Sequence, residues 1–313
     1  MIKRGIWTIE QLRAGKLKGL FGDDKFVATD LYQEVISNPK YQDLQESVLM
    51  SMQDGRGAYK RTYENRFQDF DKEIKPIIAE HISSFKKVNI LDLGVSDGRT
   101  AVDFYALLKD ILPDDYSYNI TDYSPNIKVI GSGRVKVVLD GRDNLTQIIS
   151  PPFVLSSAVS KNILLYPVNL LALTWLKSFK VAPLMNKYKQ GELATKEISL
   201  FNVDLQKIAC DDKNVELGQY SVLDKLPFDK EFHIIRAMNL FNESYFSDEE
   251  FQAAFDNLKL GLADGGLLII GSNNDANTLV NGNIFQKTKC GFKKIYKSGT
   301  GAPISNIAKY LDL

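Results

Sequence analysis

Apolar residues recur at near-helical spacing through FDKEIKPIIAEHI, at Phe70, Ile74, Ile77, Ile78 and Ile82, and predict a helix with one buried face. The rest of residues 1–87 reads as helical and polar, an N-terminal helical region ahead of the main domain. At VNILDLG (Val88 to Gly94) the pattern becomes a short unbroken apolar run ending in glycine, and helical spacing resumes at Val102, Tyr105 and Leu108. Strand, turn and helix therefore follow one another. A second strand, SYNIT, runs to Asp122. Beyond it the rhythm lapses. IKVIGSGRVKVVLDGRDNLTQIIS (127–150) predicts a β-hairpin turning at Gly131 to Gly133, and residues 153–176 are strongly apolar. The alternation returns with EISLFNVD, NVELGQYSVLD and EFHIIRAMN. A helix follows, opened by the capping box of Ser247 and Glu250 and buried along Phe251, Phe255, Leu258 and Leu262, and then the strand GGLLIIG. The expectation is an α/β domain over 88–313 that carries a large insertion at about 127–197, after its second strand, behind a helical region over 1–87.

The apolar stretch is interrupted by Lys161, Pro167 and Asn169, so its unbroken run falls short of the roughly 20 residues a membrane span needs. No stable span is expected. From about Ser150 to Lys180 it is read instead as a buried helix or a lid over an apolar substrate pocket, with Tyr166 and Trp175 in the core.

Composition narrows the chemistry. Lys plus Arg equals Asp plus Glu at 39 each among 313 residues, so no global field draws the chain to nucleic acid. With two cysteines, Cys210 and Cys290, and two histidines, His81 and His233, in no ligand-like spacing, no metal centre is expected. The N-terminal MIKRGIWTIEQLRAGK lacks the apolar core of an export signal, which makes a cytoplasmic location the expectation.

The main chemical signal is NILDLGVSDG, in which Asp92, Gly94, Ser96, Asp97 and Gly98 stand between an apolar strand and a helix. Glycines there let a ligand approach the backbone, and the helix N-terminus adds free N–H donors. An acidic residue closing the strand would repel a pyrophosphate but favours an ammonium, which distinguishes the loop from a dinucleotide fingerprint. Packing glycines in a plain strand-turn-helix are the alternative. Asp122 ends the next strand in ITDYSP, where a carboxylate can accept from both ribose hydroxyls, or simply form an Asx-turn. Asp204 in ISLFNVDLQKIA is a competing candidate. His233 stands at the start of its strand and reads as structural, whereas Arg236 and Asn239 near the far end are the candidate catalytic residues, with Arg236 also able to touch a cofactor.

The spacing D-x-G-x-x-x-G, with Ser96 in place of the middle glycine, resembles motif I of the class I S-adenosyl-L-methionine (SAM)-dependent methyltransferases, and ITDYSP resembles their D-x-S-P. The resemblance implies a Rossmann-like sheet, SAM as cofactor, and contacts from Asp122 and Tyr123 to the ribose and from Val222, Leu223 and Asp224 to the adenine. It also implies methyl transfer to an oxygen or nitrogen, and the apolar insertion suggests a small acceptor, apolar or carboxylate-bearing. Within that superfamily ITDYS, SVLD and RAMNLFNESYF are similar to segments of the chemotaxis-receptor glutamate methyltransferases (CheR), although GVSDGRT departs from their G-C-S-T-G-E-E. Protein-glutamate methylation is thus one alternative activity. A SAM-binding module without turnover is another.

Overall fold

The computed structural model describes residues 2–14, 27–49, 52, 60, 63, 65–131, 134–156, 171, 174–227, 230–243, 245–273 and 279–313. Thirteen strands lie among them: β1 (Ile2–Arg4), β2 (Lys87–Leu93), β3 (Asp115–Asp122), β4 (Asn126–Ile130), β5 (Lys136–Asp140), β6 (Leu145–Ser150), β7 (Phe153–Ser156), β8 (Thr195–Ser199), β9 (Val215–Gln219), β10 (Phe232–Met238), β11 (Leu262–Ser272), β12 (Asn281–Thr288) and β13 (Gly291–Ser298). The chain divides into two units, one of residues 1–62 with 124–200 and one of residues 63–123 with 201–313.

The second unit is built on a seven-stranded sheet in the order β13-β12-β11-β10-β2-β3-β9. Its first five strands in the chain, β2, β3, β9, β10 and β11, are mutually parallel and lie in the spatial order 3-2-1-4-5 when numbered within the unit. That is the doubly wound, Rossmann-like α/β arrangement the strand-turn-helix rhythm predicts. Parallel strands covered on both faces must be apolar on both, and β2 is buried from Val88 to Leu93. One face packs under helices Gln68–Ile82, Arg99–Leu108 and Val203–Asp211 through Phe70, Ile74, Ile78, Phe104 and Leu205. The other packs under Asp248–Gly261 through Phe251, Phe255 and Leu258, and the predicted capping box of Ser247 and Glu250 is formed. Two strands that the sequence rhythm does not announce, β12 and β13, close the sheet as an antiparallel hairpin. Exposed Lys293, Lys294 and Lys297 line this edge strand and discourage further pairing.

The first unit is a six-stranded, wholly antiparallel sheet in the order β1-β7-β6-β5-β4-β8. Residues 1–62 share this unit with Ser124–Leu200, so the region read as a separate helical one over 1–87 is divided, and its long helix Gln68–Ile82 belongs to the parallel sheet. Alternation along β5 explains the layering: Val138 packs with Tyr32, Val48 and Leu49 on one face, while Val137 and Leu139 face Val181, Leu184 and Tyr188 on the other. The expected hairpin over 127–150 is found as β4 and β5, extended by β6; Ser132 and Gly133 of its turn lie outside the described residues. EISLFNVD, read as part of the α/β rhythm, is corrected: its strand β8 pairs antiparallel with β4. In the apolar stretch, 157–170 with Tyr166 and 172–173 lie outside the described residues. Trp175, expected in the core, is 54% exposed.

Candidate functional site

In an open parallel sheet the crossovers on either side of the order reversal leave in opposite directions and open a crevice beyond the carboxyl ends of the two strands concerned. Here those strands are β2 and β10. The segment leaving β2 is Gly94 to Gly98, and that leaving β10 begins at Asn239.

Three alternate residues of the first loop are left-handed: Gly94 at φ +66°, Ser96 at +61° and Gly98 at +84°. At Gly98 the glycine is demanded twice over, because a Cβ would lie 2.1 Å from Leu205 Cδ2. Ser96 carries the left-handed strain with a side chain, and its N–H donates to Asp122 Oδ2 at 2.8 Å. Val95 N–H donates to the Thr121 carbonyl at 3.2 Å, so the ends of β2 and β3 are stitched together. The Ser96 hydroxyl is buried with no hydrogen bond among the described residues. Asp97 instead builds the loop: its Oδ1 accepts from Arg99 N–H, its Oδ2 lies 2.9 Å from Arg99 Nε, and its carbonyl accepts from the backbone and side-chain amides of Asn202.

Asp92 and Arg236 are brought together, but beneath the crevice. Arg236 is 0% exposed; its Nη1 lies 3.0 Å from Asp92 Oδ2, its Nη2 3.1 Å from Asp71 Oδ2, and the Phe104 ring covers the guanidinium. Tyr118 donates to the same Asp92 oxygen at 2.8 Å. Burial is the largest influence on both carboxylates and outweighs the attraction of Arg236, raising Asp92 and lifting Asp71 to about 6. Burial also works against the Arg236 charge, but the two carboxylates beside it prevail and hold it protonated.

Asn239, the first residue beyond β10, stands at φ +53° and is held by Asn273, whose N–H donates to Asn239 Oδ1 at 2.9 Å. Asn273 in turn accepts from Arg66 Nε at 2.8 Å, so a polar network spans the ends of β10 and β11. Val222, Leu223 and Asp224 follow β9. The Val222 side chain packs in the core while its carbonyl accepts from Asn257, and Asp224 is exposed. Tyr123 is half-buried, its carbonyl accepting from Gln219. Asp204 is an exposed residue in the first turn of helix Val203–Asp211. His233 Nδ1 accepts from Asn89 N–H at 3.0 Å near the amino ends of β10 and β2, a structural bond at the end opposite the crevice. Of the residues that sequence reasoning missed, Asp71 had left a signal, an acid on the apolar stripe three residues before Ile74; Arg66 and Tyr118 left none.

No family model matches the chain, and no curated protein does. Solved structures similar to it include an N-methyltransferase, NodS, of Bradyrhizobium japonicum with bound S-adenosyl-L-homocysteine, at 12% identity and TM-score 0.32, covering 80% of this chain and 75% of that one. A SAM-dependent methyltransferase of Clostridium acetobutylicum is similar at 12% identity and TM-score 0.31, with 80% of each chain covered. The citrinin polyketide synthase CMeT domain is similar at 12% identity and TM-score 0.32; 76% of this chain spans 41% of that one. Overlaps this slight carry no chemistry from those proteins to this one.

What the crevice offers by itself is a left-handed glycine loop at a helix N-terminus, a carboxylate at the next strand end, and an unspent buried hydroxyl. Such a set suits a ligand with a nucleoside and a charged small arm. Among the described residues no group of His, Cys, Asp and Glu could hold a metal ion.

Proposed function

We propose that the chain binds S-adenosyl-L-methionine beyond the carboxyl ends of β2, β3 and β10 and transfers its methyl group to an oxygen or nitrogen of a small-molecule acceptor. The observation that carries this reading is the bond from Ser96 N–H to Asp122 Oδ2, which sets a strand-end carboxylate against the glycine loop of the neighbouring strand. Asp122, with Tyr123 beside it, takes the ribose hydroxyls; the backbone of Gly94 to Gly98 takes the amino-acid arm; Val222, Leu223 and Asp224 border the base. The unpartnered Ser96 hydroxyl fits this use, since a ligand atom would supply the hydrogen bond its burial lacks. Asp92, Asp97 and Arg236 act as positioning residues, because their side chains are spent on Tyr118, Asp71 and Arg99.

When bound, the cofactor supplies a methyl group activated by its sulfonium. The protein's part is to align the acceptor with that methyl and exclude water. An acceptor carboxylate needs no base, and Asn239, whose Nδ2 keeps a second hydrogen beyond the one it gives Asn273 Oδ1, would orient it.

Calorimetry with S-adenosylhomocysteine tests the site. Loss of two charge-assisted bonds in Asp122→Ala should weaken binding by about 2–4 kcal/mol. Asp122→Asn, which keeps an acceptor for the Ser96 N–H, should lose less. Unchanged affinity in both variants removes the ribose assignment, and tight binding with no transfer to any acceptor offered favours a binding module.

A further inference from the structure

Between Asp143 and Glu192 the chain contains no carboxylate side chain, although acids and bases balance over the whole sequence. Beyond β7 its described part is helical over 174–176, continues through a π-helical turn at Lys177–Val181, and ends in the helix Ala182–Lys189. One face of it is seated: Leu176, Val181, Leu184, Met185 and Tyr188 pack on Ile130, Val137, Leu139 and Leu155 of the antiparallel sheet. A second apolar stripe has no such cover. Leu171, Trp175 and Phe179, spaced four residues apart, are 71%, 54% and 65% exposed, and the Trp175 and Phe179 rings lie 5.7 Å apart.

Leaving three such side chains in water costs the transfer free energy that burial would recover. The same helical segment carries Lys177, Lys180, Lys187 and Lys189, all exposed and without a carboxylate partner among the described residues. Apolar and aromatic side chains on one stripe, lysines on the rest of the helix and no acid in the segment are the composition of a helix that lies in the headgroup layer of an anionic bilayer. No helix among the described residues is long and apolar enough to cross a membrane, so such a contact would be peripheral. A protein partner would need a dense acidic rim around an apolar groove, whereas an anionic membrane presents both features without further design.

We propose that the stripe of Leu171, Trp175 and Phe179, with the lysines of the same segment reaching to the headgroups from its flanks, docks this chain onto an anionic lipid surface. The contact stands independently of the cofactor site, which the other unit carries.

The test is co-sedimentation of the full chain with vesicles of phosphatidylcholine alone or mixed in equal parts with phosphatidylserine. The mixed vesicles should bind the chain roughly tenfold more tightly, with the gain falling as salt rises. Trp175→Ser with Phe179→Ser should lose that binding by roughly tenfold, and Lys177→Ser with Lys180→Ser should lose its salt-dependent part. These positions are exposed, and an unchanged circular dichroism spectrum confirms that the fold is intact. Equal binding to both vesicle types, or vesicle binding that survives the double aromatic substitution, overturns the proposal. So does sedimentation showing a dimer that the aromatic substitutions return to monomer, because the stripe would then be covered by a second copy.

Discussion

Gly98 is the residue at which local conformation and packing make the same demand. Gly98→Ala would meet both the left-handed φ and the Leu205 side chain, and should cost about 2–4 kcal/mol in urea unfolding. Adding Leu205→Ala removes the clash, so the pair should be less costly than the sum of the single changes by about 1–2 kcal/mol; strict additivity would show that the close approach is not what fixes the glycine. Asp71 makes a different prediction. Its carboxyl sits near 6 when folded against 3.8 as its ordinary value, so the folded chain holds a proton that the unfolded chain releases between those values. Stability from this group is therefore complete below about pH 4 and is lost as pH rises through about 6. Relative to Asp71→Asn, the wild-type chain should lose a few kcal/mol across that window, measured as the difference between their urea midpoints. Gly98 and Asp122 were legible in the sequence because each is a residue type forced by its place at a strand end. The grip of Asp71 on Arg236 was not, because a contact across 165 positions leaves no spacing to read.

Among the elements, the helix Val203–Asp211 carries most for the site, since its cap is shared with the glycine loop. Asn202 Oδ1 accepts from Leu205 N–H at 2.8 Å while its Nδ2 donates to the Asp97 carbonyl at 2.9 Å. Asn202→Ala should thus cost about 1–3 kcal/mol and speed amide exchange in both the helix and residues 94–98, where loss of a simple cap would affect the helix alone. The strands β2 and β11 were legible because burial on both faces leaves a short apolar run in each. EISLFNVD has the same look for another reason: β8 is short and turns Ile198 into the antiparallel core, and a five-residue strand does not reveal which sheet it joins. In β13 the lysines that guard the edge obscure the period of two.

At the scale of the molecule, the chain leaves the parallel-sheet unit after Tyr123 and re-enters it at Phe201. The excursion begins and ends side by side, with Asn126 opposite Ser199 and Leu200 N–H donating to the Pro125 carbonyl at 2.7 Å. All seven strands of the Rossmann-like sheet and its two cores lie outside it. A chain of residues 63–125 joined by a short glycine linker to 200–313 should therefore fold cooperatively, seen as a single urea transition with retained helical dichroism. A broad, weakly cooperative transition would show that the parallel-sheet unit depends on the excised residues.

The buried cation also bears on how this sheet is assembled. Arg236 and Asp92 are direct partners in the register of β10 against β2. Slide β10 along by two residues and every apolar side chain still faces its proper layer, yet the guanidinium now meets Ile90 or the loop beyond Leu93. An uncompensated charge in that interior costs several kcal/mol, more than the apolar contacts of one misaligned strand return. Hydrophobic pattern alone cannot tell these alignments apart. The ion pair proofreads the pairing, so that Arg236→Met would leave β10 free to sample registers that the wild-type chain rejects.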